Sequence, residues 1–600
     1  MALSSIVLTV IASGITWARF ATAHDTDTTL ACDSSSIPWP MTFGAEITGL
    51  TADLVVNYTE WDSAQDLPDA NRQAISFCNV TISHTHSGWN DDVKTELWLP
   101  LSPAWNGCFM GTGGSGWATG SPTARAGPVA LGYAAASTDG GRGLYVPGSA
   151  EGWSLLSPGN PNWPLIQDFA AVGIDDMTKI GKATTTSFYG REIKYSYWYG
   201  CSTGGRQGLM HAQRFPENYD GILATAPAIN WVEIGTAGYW IPHVMQQLGY
   251  YPPPCELDYY NQAAIDACDT IDGIKDGIIS APDLCNFNPH TIVGTEITCP
   301  SAENPVDSTS FTLTLQGATV ALATWTSMVN PPNTSTNPSS SPKNEWYGLK
   351  PGAFGAFTLC TPPSNPFNCT FIPGGIAEQW IRLYLVQDPD FDLSTLSTQR
   401  FFELLNFARN QWDSIIGTHD PDLSRFKLRN GKMITYHGLG DGLIPPAGSA
   451  KYYEHVRAVD PGVDNYYRYY EAPGVPHCSP GTERNVYPAE AFKELRRWVE
   501  EGTAPEWLVG TVSEAGEFTD EQRKICHWPQ VAVLRDEAAR GEVGAWECVD
   551  KSGSGLVGRG GSLLGELALV SILGLLCWGG SHKGSIPSRL TGSSIKPMNV

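Results

Sequence analysis

The sequence predicts an α/β protein, a mainly parallel, doubly wound sheet broken by one large insertion. Three observations carry that expectation. Short runs rich in aromatic and β-branched residues alternate with helical stretches. A glycine-flanked serine turn lies between one such strand and the helix after it. The alternation lapses between residues 229 and 428, where Pro/Asn/Ser-rich loops and several cysteines take over.

In chain order, the first strongly marked strand is Ile193 to Tyr199 (IKYSYWY), running into a glycine-rich turn. Arg206 to Arg214 follows as a helix that Pro216 should stop. Gly221 to Ala226 is a second short apolar run. After the insertion, Lys432 to His437 (KMITYH) and Tyr466 to Glu471 (YYRYYE) are two more strands, and Ala489 to Glu500 reads as an amphipathic helix. The expected organisation is a leader at 1–23, catalytic segments at 24–228 and 429–550, an inserted lid domain at 229–428, and a tail at 551–600. No internal repeat appears at solenoid or propeller periods.

Composition narrows the function classes. A chain of 600 residues is too long for one simple core, so at least two structural units are expected. Hydrophobic residues at 42% and charged residues at 16% describe a chain that folds around a large interior. A net charge of −24 repels phosphate backbones, which excludes nucleic acid as a partner class, and binding to an acidic membrane surface through basic patches is excluded on the same ground.

The ends read as export and attachment signals. Ile6 to Ala18 is mostly apolar and Ala21-Thr22-Ala23 has the small-x-small form of a cleavage site. Fourteen cysteines without a C-x-x-C metal pattern point to disulfides, and Asn57, Asn79, Asn333 and Asn368 each head an N-x-Ser/Thr sequon. Together these predict a secreted glycoprotein. Ser552 to Ser562 is a Gly/Ser-rich linker, followed by an apolar run, Leu563 to Trp578, interrupted by Glu566, and then by a polar tail. The run is short for a membrane span. The chain also continues about 20 residues past it, unlike a lipid-anchor signal. A weak surface anchor, a membrane span and a functionless extension all stay open.

Gly200-Cys201-Ser202-Thr203-Gly204 matches the G-x-S-x-G nucleophile elbow, in which side chains larger than hydrogen at the glycines would strike the neighbouring strand and helix. A serine hydroxyl is a poor nucleophile without a base, and the base needs an orienting carboxylate. The elbow's fold predicts the chain order Ser, Asp/Glu, His. Asp441, in the turn after KMITYH, and His477, in the turn after YYRYYE, satisfy it. Read singly, Asp441 is a turn former and His477 a loop histidine; read with the elbow, the three form a catalytic triad. His437 and His455 are rival bases, with His437 the structural one. Thr203 N–H, at the helix start, is one expected oxyanion donor. The second is expected from Gly113 or Gly114, in the glycine-rich run Phe109 to Gly116.

Here the sequence resembles the tannase and feruloyl esterase family, which carries a Cys-Ser, Asp, His-Cys pattern. The residues that match are Cys201-Ser202, Asp441 and His477-Cys478. The resemblance runs from about Cys32 to Cys548. It takes in Trp105-Asn106-Gly107, the GTGG loop at 111–114, Ser137-Thr138-Asp139 and Pro529 to Val533. It implies an α/β-hydrolase fold with a large inserted lid domain. It also implies disulfides Cys201–Cys478, Cys32–Cys78, Cys268–Cys285 and Cys526–Cys548. The first of these would staple the serine loop to the histidine loop. Cys108 stands where relatives have a basic residue, and Arg142 where a histidine is common.

The stretch Cys268 to Ile278 (CDTIDGIKDGI) places three carboxylates within eight residues, with Gly273 and Gly277 allowing tight turns. Hard oxygen ligands at this density suit Ca²⁺, although the spacing is not that of an EF-hand. The loop resembles the family's structural calcium loop in the lid, which implies Asp269, Asp272 and Asp276 as ligands, with carbonyls from Ile274 and Ile278.

The expected function is hydrolysis of phenolic esters, feruloyl or galloyl, derived from plant cell walls or tannins, through an acyl-enzyme on Ser202. An inactive cell-surface binding protein on the same fold is the alternative, against which the intact triad argues. A serine peptidase shares the triad order but nothing else.

Overall fold

The structure is a computed structural model that describes residues 29–551 apart from 62–66, 68–71, 143–148, 301–307, 332–341, 354, 356, 362–366 and 373–374. The expected leader, the sequon at Asn333, and the linker, apolar run and polar tail from residue 552 onward lie outside the described residues.

Nine strands form the central sheet: β1 (Ala45–Tyr58), β2 (Ile75–His86), β3 (Val93–Ser102), β4 (Cys108–Thr112), β5 (Ala134–Thr138), β6 (Tyr195–Cys201), β7 (Gly221–Thr225), β8 (Lys432–Gly438) and β9 (Tyr467–Ala472). Their spatial order is β1-β2-β3-β5-β4-β6-β7-β8-β9. Pairing is antiparallel from β1 through β3 to β5. It is parallel from β5 to β9. The residue types follow this division. β2 alternates buried and half-buried positions, as an antiparallel strand does, whereas β5 (AAAST), β7 (GILAT) and β8 (KMITYHG) are buried throughout.

Helices cover both faces. The ones that position the sites are α1 (Trp163–Ala170), α2 (Val172–Tyr189), α3 (Thr203–Arg214), α4 (Trp231–Ala237), α5 (Thr398–Ile416), α6 (Pro446–Val459) and α7 (Ala491–Glu501). On one face Ile174, Met177 and Ile180 of α2 join Tyr453 and Val456 of α6 in a common core with Leu97, Phe109 and Trp198. On the other, Phe492, Leu495 and Trp498 of α7 pack with Tyr133, Tyr197 and Ile434. The expected doubly wound sheet is therefore present.

Two expected boundaries move. The strand written as Ile193 to Tyr199 is Tyr195–Cys201, carrying the chain straight into the serine turn. The helix after it begins at Thr203 rather than Arg206. Thr-Gly-Gly reads as loop by propensity, but the close packing of α3 against the sheet needs those small residues.

The chain between β7 and β8 forms helices and two-stranded hairpins, and it shares a core with the catalytic body. Trp380, Tyr384, Phe401 and Trp412 pack in one cluster with Trp117, Trp153 and Phe169 from before β6. Among the described residues no helix is long and apolar enough to cross a membrane.

Candidate active site

The serine turn is built by close approach. Ser202 sits between β6 and α3 with φ 62° and ψ −119°, a left-handed conformation that strains a non-glycine residue. Its amide donates to Thr225 O at 3.1 Å, and its carbonyl accepts from Arg206 N and Ala228 N, each at 3.0 Å. At Gly200 a Cβ would lie 2.7 Å from the Gly204 backbone, so only glycine lets the strand and helix meet this tightly.

Asp441 follows β8 and is fully buried. Every side of its carboxylate meets a donor. Oδ2 accepts from His477 Nδ1 at 2.7 Å and from His437 Nε2 at 3.1 Å. Oδ1 accepts from the amides of Leu443 at 2.8 Å and Ile444 at 2.9 Å. Burial alone would raise its proton affinity, but the His477 charge and the histidine hydrogen bonds outweigh burial, and the carboxyl is held well below the usual range. His437 lies behind Asp441. Its Nε2 faces only acceptors, Asp441 Oδ2 and Ile444 O at 3.1 Å, so Nε2 carries the proton and Nδ1 accepts from Ser449 Oγ at 2.8 Å. That fixes His437 as a support for the acid. His455 is exposed on α6 and lines a different cavity.

His477 uses Nδ1 on Asp441, which turns Nε2 away from the carboxylate. His477 and Ser202 line one cavity of about 430 Å³. Its walls come largely from the insertion and are aromatic and aliphatic, with Trp231, Trp346, Tyr347, Phe371 and Ile376 among them and Glu378 as the acidic member. Cys201 and Cys478, the neighbours of Ser202 and His477, are disulfide-bonded across 277 residues of sequence.

The glycine-rich loop after β4 departs from expectation. Gly113 N–H donates to Tyr199 O at 3.0 Å, and Gly114 N–H to Gln207 Oε1 at 3.1 Å. Both amides are thus engaged inside the protein and do not face an oxyanion. The loop instead fits against α3. A Cβ on Gly113 would lie 2.4 Å from Gly204 Cα, and Gly204 N donates to Gly114 O at 3.0 Å. Gln207 completes the fixation through Nε2 to Thr119 O at 2.9 Å. Thr203, the first residue of α3, has an amide with no acceptor in its own helix. Sequence reasoning marked His437 as structural, which its place behind Asp441 bears out, but missed Ser449 and Gln207 as supports. The one signal available was His437 four residues before Asp441.

In the loop 268–278 the three carboxylates bond to the local backbone. Asp269 accepts from Asp276 N (3.0 Å) and Gly277 N (2.9 Å), Asp272 from Ile274 N (3.2 Å) and Ser280 Oγ (2.7 Å), and Asp276 from Ile278 N (3.2 Å). Asp276 Oδ2 also pairs with Arg523 Nη1 at 2.5 Å. All three side chains are nearly buried. Burial, joined by the Asp276 charge, pushes Asp272 up to about 7, and burial also raises Asp276. One buried arginine against three buried carboxylates leaves a deficit of positive charge.

The disulfides Cys32–Cys78, Cys268–Cys285 and Cys526–Cys548 are all formed, with Cys255–Cys299 and Cys360–Cys369 besides. Cys108 is a buried free thiol, pushed up to about 11 by burial.

A serine on a strand–helix elbow, lining one cavity with the histidine of an aspartate–histidine pair at the carboxyl edge of a mainly parallel sheet, is the arrangement of the α/β-hydrolases. Residues 78–549 match the family described as tannase and feruloyl esterase, and the chain belongs to that family and is a carboxylic ester hydrolase. It is 37% identical over 527 residues to a probable feruloyl esterase of Arthroderma benhamiae, covering 87% of this chain and 94% of the relative. It is 30% identical to a tannase of Aspergillus oryzae, covering 77% and 84%. The solved tannin acyl hydrolase from Aspergillus niger superposes with a TM-score of 0.75 at 28% identity, over 86% of this chain and 94% of that one. Feruloyl esterase B from Aspergillus oryzae, at 24% identity and a TM-score of 0.66 over 85% and 97%, shares the fold.

Proposed function

We propose that this chain is an exported serine esterase that hydrolyses phenolic esters, feruloyl or galloyl, through an acyl-enzyme on Ser202. The observation that carries the reading is the shared cavity. Ser202 and His477 open on one aromatic-walled space while Asp441 is locked behind them by four donors. Ser202 Oγ attacks the ester carbonyl as His477 Nε2 takes its proton, and Asp441 holds the imidazole's orientation and stabilises its charge. The oxyanion receives Thr203 N–H at the positive end of α3. Collapse expels the alcohol with the proton from His477, and water enters by the same base to release the acid and restore Ser202. Trp231, Trp346 and Phe371 suit the flat ring of a phenolic acyl group.

The disulfides, and the leader-like apolar run with a small-x-small site read in residues 6–23, support export. For Ca²⁺, the ligands would be Asp269, Asp272 and Asp276 with the carbonyls of Ile274 and Ile278. The ion would neutralise carboxylates buried against a single arginine and hold the loop, outside the chemistry.

A fluorophosphonate probe should label wild type at Ser202 and fail on Ser202→Ala. A panel of methyl ferulate, methyl caffeate and methyl gallate identifies the acyl group. No turnover of any of the three by probe-reactive enzyme would overturn the phenolic reading and keep the serine one.

A further inference from the structure

A second group of buried ionisable residues lies where β2 ends. His84 and His86, two apart on β2, project to the same face of the sheet. Asp176, in the first turns of α2, meets them there, with His86 Nε2 2.8 Å from Asp176 Oδ2. One ligand atom from each of His84, His86 and Asp176 lies within 4.8 Å of the other two. His84 is fully buried, and among the described residues neither of its ring nitrogens has a hydrogen-bond partner. A buried imidazole with both nitrogens unmet costs about 1–3 kcal/mol for each lost bond, so its persistence calls for a ligand.

We propose that His84, His86 and Asp176 form a site for a first-row divalent transition cation of the zinc class. Two imidazoles and one carboxylate are the donors such ions prefer, whereas Ca²⁺ and Mg²⁺ take oxygen alone. The surrounding shell fits. His86 presents Nε2 to the site while its other nitrogen, Nδ1, meets Asp91 Oδ2 at 2.5 Å. Asp91 is itself fixed, its Oδ1 accepting from Thr85 Oγ1 at 2.8 Å and from His86 N at 2.9 Å. A carboxylate on the far nitrogen sets the tautomer and orientation of a ligating histidine. The three residues His86, Asp91 and Asp168 also have ligand atoms within 4.8 Å of one another. That set offers one imidazole rather than two, and its Asp91 is already committed to three donors, so the cation is assigned to the His84 side. The competitor for His86 Nε2 is a proton, shared with Asp176.

The site is structural. β2 is parallel to β5 through two antiparallel steps, so His86 and the serine turn lie on the same edge of the sheet. They are four strand spacings apart, about 19 Å, too far for a cation to touch the reacting ester. Its effect is to clamp β2 to α2, which covers the sheet.

The test uses the full chain, freed of metal and then equilibrated with Co²⁺, whose visible bands report nitrogen and oxygen ligation. One equivalent should survive desalting and be displaced by Zn²⁺. His84→Gln and Asp176→Asn should each weaken retention by about 100-fold or more, and Asp91→Asn by about 10–100-fold. Ester hydrolysis and calcium content should not change. Absence of retained Co²⁺ or Zn²⁺ in folded wild type overturns the site, as does retention unaltered in His84→Gln. If His84→Gln or Asp176→Asn does not fold, wild-type stoichiometry together with Asp91→Asn decides. None of these readouts depends on the role of Ser202.

Discussion

Asp441 and Asp168 are both fully buried carboxylates, and they stand in opposite states. Asp441 meets four donors and is held well below the usual carboxylate range. Asp168, near the end of α1, has no N–H donor on either oxygen among the described residues, and its neighbours are the Asp91 carboxylate and His86 Nδ1, the latter 3.9 Å away. Burial first, and then the Asp91 charge, pushes it up to about 8. Burial acts on both residues in the same direction, and the donors decide the outcome. Two carboxylates buried to the same extent thus differ in charge because one is surrounded by donors and the other is not.

The largest expected effect falls on the satisfied side. Ser202→Ala should lower kcat/KM by about 10⁴-fold or more with the fold intact. Retention of more than a few per cent of activity in pure protein would remove Ser202 from the nucleophile's place. His477→Ala and Asp441→Asn should each lose about 10³–10⁴-fold, and the double variant little more, because the groups act as a unit. Asp441 has a depressed folded pKa. Its contribution to stability is therefore present above the unfolded carboxylate range, near pH 4, and is lost only as pH falls through the lower folded value. Over the working range it stays ionised, so the acid side of the kcat/KM profile should carry no step from this carboxyl. A profile with two acid-side ionisations breaks the argument.

Reducing Cys201–Cys478 should lower activity about tenfold or more before the chain unfolds, since the bridge positions both reacting groups and the core is large. Fluorescence and rate measured along one reductant titration should therefore separate; coincident curves count against a local role. Chelation of calcium should lower the melting temperature by about 3–6 °C and leave initial rates at low temperature nearly unchanged. Asp272→Ala should reproduce that loss and make chelator harmless. Immediate loss of hydrolysis in folded enzyme would put the ion in the chemistry. The smallest effect is expected at Asp168→Asn. An uncharged amide carries no charge into the interior, so activity should stay within about twofold and the melting temperature should not fall. A loss as large as that of Asp441→Asn would erase the contrast between the two carboxylates.

Much of this was legible in the sequence where the signal is local. The elbow is five consecutive residues. Asp441 and His477 each follow a strand, and β8 and β9 lie within a residue of their expected bounds. The start of α3 was misread because Thr203-Gly204-Gly205 is poor helix former by propensity, and tertiary packing overrides it. The Gly113 and Gly114 amides were assigned by motif, but their direction depends on Tyr199 and Gln207, which only the folded chain brings to them. His86 and Asp176 are 90 residues apart, and no spacing pattern joins them. The antiparallel run β1 to β3 left no mark as clear as the parallel strands.

The covalent path through the molecule has a consequence for proteolysis. Of the six bridges among the described residues, Cys201–Cys478 is the one that links the chain before the insertion to the chain after it. A protease that nicks the insertion between residues 300 and 359 leaves two polypeptides still joined beside the reacting serine and histidine. Such a clipped enzyme should run as one species without reductant and as two with it. Its halves cannot diffuse apart, so a cut in the lid disturbs the walls of the cavity while the serine and histidine stay tethered.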